Sequence, residues 1–282
     1  MRVLLLGGAG RLGSAVRARW SDCEIAAPAH GELAIERSDL LADAVARFRP
    51  DAIVNAAAFH DVDRCERETA RAFQVNAVAV GQAARIARDA NAIFVTIGTD
   101  YVFDGASAMP YLESDAPHPL SAYGTSKLAG EYLVEHVRGR SFVVRTCGVY
   151  GAAGAQGRPD FVERIAAQAR AGAPVRVVSD AIASPTFAGD LADALRSLVR
   201  TDAYGLYHAV NGGAVSWFDF AREVLSAVAP DAQVEPIAAA DWKAPAVRPR
   251  FSALDNGKLR ALGVPMPSWR DGIAAYLGLG VR

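Results

Sequence analysis

The sequence has almost no net charge. Its 30 basic side chains face 31 acidic ones, a formal balance of −1. A chain without excess positive charge lacks the usual footprint for neutralising nucleic-acid phosphates. No apolar run reaches the ~18 residues that a membrane helix needs. The opening stretch Met1–Gly10 has one basic residue and a short apolar run before glycine, too little for a secretory h-region. Cysteine is scarce. Cys23, Cys65 and Cys147 are widely spaced and form no CxxC pair, which argues against a disulfide framework or a zinc site. Internal repeats and low-complexity tails are also missing. These absences leave a protein expected in the cytoplasm, with no nucleic-acid and no membrane partner.

What is present is globular. Hydrophobic residues make up 51% and charged residues 22% of the 282 positions, close to the average for folded domains. Short apolar runs alternate with amphipathic stretches. The runs Val3–Leu6, Glu24–Ala27, Ala52–Asn55, Ile93–Ile97, Phe142–Arg145 and Val175–Val178 are predicted strands. Several are nearly continuous in apolar residues, as strands covered on both faces are. Helices are predicted over Leu12–Trp20, Leu40–Phe48, Ala70–Ala90 and Ala122–Val137, then over Trp217–Val228 and Trp269–Tyr276. Such alternation predicts an α/β fold with a doubly wound parallel sheet. Past residue 150 the pattern loosens, beginning with the Gly/Ala-rich stretch Gly151–Pro159. Residues 151–282 are therefore expected to form a smaller C-terminal, substrate-binding lobe over the carboxyl ends of the strands, where open α/β sheets bind ligands. Residues 180–200 are expected to return to the first unit.

Gly7, Gly10 and Gly13 follow the first strand directly, spaced GxxGxxG, with Arg11 and Leu12 between the last two. Glycine permits a tight turn and close approach of backbone to a pyrophosphate, and the helix that follows offers unpaired N–H groups. The plainer reading is a strand–helix turn that merely needs glycine. Position after a buried first strand favours a dinucleotide site, which makes residues 1–150 a dinucleotide-binding unit. The end of the second strand, Ala26–His30, holds no acid to bond a ribose 2′-hydroxyl. With Arg11 placed to face a 2′-phosphate, NADPH is expected over NADH.

Tyr123 and Lys127 lie four residues apart on one predicted helix, one turn apart on the same face. A nearby ammonium is expected to lower the tyrosine pKa toward the working range of a proton donor. Thr99 arrives at the carboxyl end of the Ile93–Ile97 strand, placed to donate to a carbonyl oxygen held between it and Tyr123. Alone, YxxxK is common by chance; Thr99 is what raises it.

At this point the chain resembles the extended short-chain dehydrogenase/reductases, and within them the dTDP-4-dehydrorhamnose reductase family. The resemblance is carried by the glycine loop, Pro50–Ala58, Val62-Asp63, Val75–Ala77, Thr99–Gly105, Tyr123–Lys127 with Gly130-Glu131, Arg145-Thr146, Val149–Gly151, Pro185-Thr186, Asp190–Ala192 and Arg248-Pro249. It implies a Rossmann-type fold and NAD(P)H-dependent reduction of a 4-keto-deoxysugar nucleotide. It implies that Gly7, Gly10, Arg11, Leu12 and Gly13 line the pyrophosphate. Asp39 and Leu40 would meet the adenine, and Ala56, Ala57 and Ala58 the middle of the cofactor. Lys127 would also hold the nicotinamide ribose, with Tyr123 beside it. Val102, Phe103, Asp104, Tyr123 and Arg248 would meet the substrate; a guanidinium suits phosphate oxygens, so Arg248 is read as pairing with the diphosphate, or equally as a surface arginine made rigid by Pro249. Thr99, Tyr123 and Lys127 would be the catalytic set. No metal is expected, and a homodimer is compatible with the reading.

Gly148 stands where the family usually carries tryptophan near the sugar, so its small size is expected to widen the pocket. Trp217 and Trp269 are read as packing residues, and His60 and His208 as structural. Tyr101 occupies the place where related dehydratases carry glutamate, which disfavours dehydration. Two alternatives remain open here. One is a sugar-nucleotide epimerase. The other is a non-catalytic NADP-binding regulatory subunit like that of methionine adenosyltransferase, which would be expected to tolerate loss of Tyr123 or Lys127.

Overall fold

The computed structural model describes residues 1–152, 154 and 159–279. Part of the predicted Gly151–Pro159 interruption therefore lies outside the described residues. In the first half, β1 (Arg2–Leu6), α1 (Arg11–Arg19), β2 (Glu24–Ala26), α2 (Ser38–Phe48) and β3 (Ala52–Asn55) alternate, followed by α3 (Val62–Arg67), α4 (Thr69–Phe73) and α5 (Ala79–Asp89). Next come β4 (Ile93–Thr99), α6 (Ala122–Val137), β5 (Ser141–Thr146) and β6 (Val149–Tyr150). The second half holds α7 (Phe161–Arg170), β7 (Val175–Val178), β8 (Ile182–Ala183), β9 (Thr186–Phe187), α8 (Ala188–Leu198) and β10 (Gly205–His208). It closes with β11 (Val215–Ser216), α9 (Trp217–Val228), β12 (Val234–Ile237), α10 (Gly257–Ala261) and α11 (Trp269–Leu277).

Six strands form one sheet in the order β10-β5-β4-β3-β1-β2, every pair parallel. One face buries Val3, Leu5, Val54 and Val95 against Val16 of α1, Trp20 just past its end, and Leu191 and Leu195 of α8. The other buries Leu4, Leu6, Ile53 and Phe94 against α2, α5 and α6. Successive side chains of a strand point to opposite faces. A strand with helices on both sides must therefore be apolar at every position, which is why these segments read as continuous runs.

Two segments differ from the sequence expectation. Val175–Val178 is a strand, but it pairs with β12 outside the main sheet, packing under Phe220 and Val224 of α9. The sixth sheet strand is instead β10, Gly-Leu-Tyr-His, preceded by α8, which packs on α1. The predicted helix over Ala70–Ala90 is interrupted by a π-helical turn at Gln74–Val78, a distortion often found beside functional sites. It turns Asn76 inward. The Asn76 amide donates to the Phe59 carbonyl and to Ser126 Oγ (each 3.0 Å), and its Oδ1 accepts from the Phe59 N–H (2.9 Å).

Helix α6 sits unusually close to its neighbours. A Cβ at Gly124 would lie 2.2 Å from the Tyr101 carbonyl oxygen, and one at Gly130 would lie 2.2 Å from that of Asn76. Gly130→Ala should accordingly destabilise the fold by about 1–3 kcal/mol through the forced shift of α6. Helix propensity alone argues for the opposite sign, by roughly 1 kcal/mol in favour of alanine. Urea unfolding of Gly130→Ala decides between them, and a raised midpoint would show that the contact is not tight.

Candidate active site

The glycine loop is built by close backbone contact. Gly7 has φ +76°, and a Cβ there would come within 2.7 Å of the Ala57 nitrogen. A Cβ at Gly13 would lie 2.3 Å from the Gly7 carbonyl oxygen. Loop, Ala56-Ala57 and α1 thus pack backbone to backbone. Gly10 is the N-cap of α1 and supplies no side-chain cap, so nothing from the cap residue covers the first N–H groups of the helix. An N-terminus without a side-chain cap suits an anion, and Gly154 packs against Ala9 and Gly10 at its edge. This cradle fits the pyrophosphate of a dinucleotide. Leu12 faces inward into the core.

The structure takes Arg11 elsewhere than expected. Its Nε donates to the Gly151 carbonyl (2.9 Å), and its guanidinium lies 3.5 Å from both Asp160 and Glu163 at the start of α7. These two acids form the capping box of α7, so Arg11 ties the glycine loop to that helix start. Asp39 lies exposed in the first turn of α2, its carboxylate held by Arg37 at 2.7 Å. That pairing keeps the Asp39 carboxyl low, at about 2. Leu40 packs partly buried against the core. Ala58 is half-buried at the end of the Ala56–Ala58 segment.

At the carboxyl end of β4, Thr99 caps the turn that follows. Its Oγ1 accepts from the Tyr101 N–H and donates to Asp100 Oδ1, each at 3.2 Å. Tyr123 enters from the first turn of α6, with Tyr101 edge-on to its ring at 6.1 Å. Ser121 caps α6 by accepting from the Gly124 N–H (3.1 Å), and Glu66 accepts from the Ala122 N–H (2.8 Å). Lys127 is buried one turn further on. Thr99 and Tyr123 share a hydrogen bond, and Lys127 lies one helical turn beyond Tyr123 on α6.

Their electrostatics differ from the expectation. Burial pushes the Tyr123 phenol above its ordinary value, and the chief influence lowering it is a hydrogen bond with Thr99 rather than the Lys127 ammonium. Burial lowers Lys127 to about 8, opposed by Glu131. Asp100 is pushed up to about 6 by burial, flanked by Cys147 and Ser252.

The expected substrate contacts are redistributed as well. Val102 and Phe103 are fully buried, Phe103 stacking on Tyr111 at 4.0 Å, so they shape the wall from behind. Asp104 accepts from Tyr111 Oη (2.9 Å) and the Ala106 N–H (3.0 Å) and holds its own loop. Arg248 grips Asp63 of α3 with both guanidinium nitrogens, at 3.1 and 2.9 Å, a bidentate pair that engages the side chain assigned to the diphosphate. Gly148 does not leave a gap. A Cβ there would come within 2.6 Å of Trp217 Cη2. Trp217, held by Phe161 at 4.9 Å and Phe220 at 6.0 Å, fills that space from the start of α9. This correction was beyond the sequence, because the two residues are 69 positions apart.

Two outcomes follow. Gly148 has φ +48°, so Gly148→Ala combines left-handed strain with a clash and should cost about 1–3 kcal/mol in urea unfolding. Asp100 binds its proton more tightly folded than unfolded. Its contribution to stability is present below its ordinary value of 3.8 and is lost as pH rises toward about 6. Asp100→Asn should flatten that fall when unfolding midpoints are compared at several pH values; an unchanged slope would remove Asp100 as its source.

Comparison with known proteins joins this geometry to a family. The model of the RmlD substrate binding domain matches residues 1–279. A Streptomyces antibioticus protein named as a probable dTDP-4,6-dihydroxy-2-methyloxan-3-one 4-ketoreductase is 36% identical, covering 97% of this chain and 93% of its own. The Bacillus subtilis spore coat polysaccharide biosynthesis protein SpsK is 32% identical, covering 98% and 96%. A solved dTDP-4-dehydrorhamnose reductase from Bacillus anthracis, in complex with NADP, superposes with a TM-score of 0.94 at 33% identity, with 98% of each chain covered. With this match over nearly its whole length, the chain belongs to the RmlD substrate binding domain family.

Proposed function

We propose that this chain is an NADPH-dependent reductase that converts the 4-keto group of a deoxysugar nucleotide to an alcohol, as a dTDP-4-dehydrorhamnose reductase does. The observation that carries the reading is the hydrogen bond of Tyr123 with Thr99 at the carboxyl end of β4, with Lys127 buried one turn further along α6 and the glycine loop at the carboxyl end of β1 in the same sheet. Relatives whose names specify a 4-keto reduction, and one solved with NADP, support it. The Ala26-Ala27-Pro28 end of β2 offers no carboxylate against a 2′-phosphate. The same reading places the enzyme in the cytoplasm; among the described residues no helix is long and apolar enough to cross a membrane.

When bound, NADPH supplies the hydride. The chain's own residues do the rest. Gly7, Gly10 and Gly13 set the phosphates against the start of α1. Thr99, whose hydroxyl donates to Asp100 in this structure, turns that donor to the negative charge developing on the keto oxygen. Tyr123 gives that oxygen its proton, which balances the hydride taken up at carbon. Lys127 holds the ribose and supplies positive charge beside the phenol. A phenol raised by burial is already protonated at neutral pH, which suits a donor. Trp217, in place of a side chain at 148, forms the apolar wall beside the sugar.

Three measurements test this. NADPH consumption with a dTDP-4-keto-6-deoxysugar should exceed that with NADH in kcat/KM; a clear NADH preference would reverse the cofactor assignment. Tyr123→Phe should lower kcat by about 10²–10⁴-fold while NADPH still binds. Near-normal turnover by Tyr123→Phe would remove it as the donor. Trp217→Ala should raise KM for the sugar nucleotide and leave NADPH affinity unchanged.

A further inference from the structure

Behind the active-site lysine lies a buried ion pair. Glu131 follows Lys127 by four residues on α6, so the two side chains share one face of the helix. Both are buried. Arg145 of β5 grips Glu131 from the other side. Its Nε lies 3.2 and 3.1 Å from the two carboxylate oxygens, and its Nη2 lies 2.7 Å from Oε2. The Arg145 guanidinium also stands over the Phe103 ring at 5.2 Å.

The fold makes room for this pair. A Cβ at Gly98, the residue before Thr99, would lie 2.6 Å from Glu131 Oε1 and 2.8 Å from Arg145 Cγ. Only glycine lets β4 pass while a carboxylate sits against it. The pair is thus wedged between Lys127 and the strand that delivers Thr99.

Isolated charge at this depth is costly. Breaking a buried ion pair by removing one member typically costs more than the pair contributes to stability. A stability role alone gives no reason for an acid four residues from the lysine. We propose that Glu131, clamped by Arg145, is a positioning residue that keeps the Lys127 amine protonated and aimed within the active site. The three groups carry one net positive charge between them. Burial pushes the Glu131 carboxyl up, and the Arg145 guanidinium, its hydrogen bonds and the Lys127 ammonium oppose that and favour the carboxylate; among the described residues Glu131 is the charged group that acts on Lys127. Several titratable groups on elements packed against α6 have partners of their own, while Arg67 of α3 lies exposed and Cys65 of α3 is buried with its thiol pushed up to about 11. Glu66 of α3 caps Ala122, Arg71 of α4 pairs with Glu36, Arg88 of α5 with Asp89, and Asp100 takes the Thr99 hydroxyl.

The consequence for turnover rests on the reductase reading, but the effect on Lys127 can be read without turnover. The sequence holds three lysines, Lys127, Lys243 and Lys258. Lysine labelled at its ε-carbon therefore gives few resonances, and Lys243→Arg and Lys258→Arg assign them. NMR titration of the full chain should show Lys127 near 8. Glu131→Gln should lower that midpoint by about one unit or more, because the attraction is gone. Arg145→Met should raise it, because Glu131 then serves Lys127 alone. Glu131→Asp, which retains the charge, should stay near the wild type. Opposite shifts in the first two variants are what a merely structural pair would not produce. If Glu131→Gln does not fold, the sign of the Arg145→Met shift decides. An unmoved Lys127 in the folded variants overturns the proposal. In turnover, the loss of kcat at high pH should move with the Lys127 midpoint, so Glu131→Gln loses activity at lower pH. A uniform loss of kcat with no shift of that limb would also overturn it. Absence of turnover in the wild type would count against the reductase reading and leave the NMR test intact.

Discussion

The active site depends on how closely α6 can approach the rest of the fold. Gly124 and Gly130 let the helix rest on the carbonyls of Tyr101 and Asn76, at distances no side chain tolerates. Asn76 lies buried within the π-helical turn, where its amide also bonds Ser126. Ser126 in turn donates to the Tyr123 carbonyl at 2.8 Å. The tyrosine and lysine are therefore positioned by backbone contacts on either side of them. Backbone contacts have little freedom to relax.

That proximity imposes an electrostatic condition. Bringing α6 against the sheet buries Lys127 and Glu131, and β5 adds Arg145. Three charges in a low-dielectric region are tolerable only when opposite signs touch and hydrogen-bond. Gly98 removes the side chain that would have kept them apart. The residue preceding Thr99 thus serves the geometry of the strand end and of the charge cluster together.

Other charged residues are drawn into the scaffold. Arg11 ties the glycine loop to Gly151 and the start of α7, and Arg248 ties the Pro-rich segment to α3 through Asp63. Each links the sheet-forming half to the second half of the chain near a ligand-facing edge. A guanidinium paired with carboxylates is a poor candidate for a phosphate unless those pairs open, whereas the backbone N–H groups at the start of α1 carry no side-chain cap.

The elements with local signals were legible in the sequence. β1, β3, β4 and β5 appear as apolar runs because helices cover them on both sides, and α6 and α9 keep the bounds that their periodicity predicts. The glycine loop and the Tyr123–Lys127 spacing were legible because each lies within a single strand–helix turn or helix, and Thr99 because it closes the apolar run of β4. The sequence does not separate β7 from a sheet strand, since partner choice leaves no mark on a four-residue run. It also passes over β10, whose Gly-Leu-Tyr-His is too short and mixed to stand out. What each charge does was decided by tertiary structure alone. Arg11 meets Asp160, Arg248 meets Asp63, Arg145 meets Glu131 and Trp217 fills the space at Gly148 across 14 to 185 positions of chain. Local sequence sets backbone conformation within a few residues, but the partner of a long side chain is set by which distant segments the packed fold brings within reach.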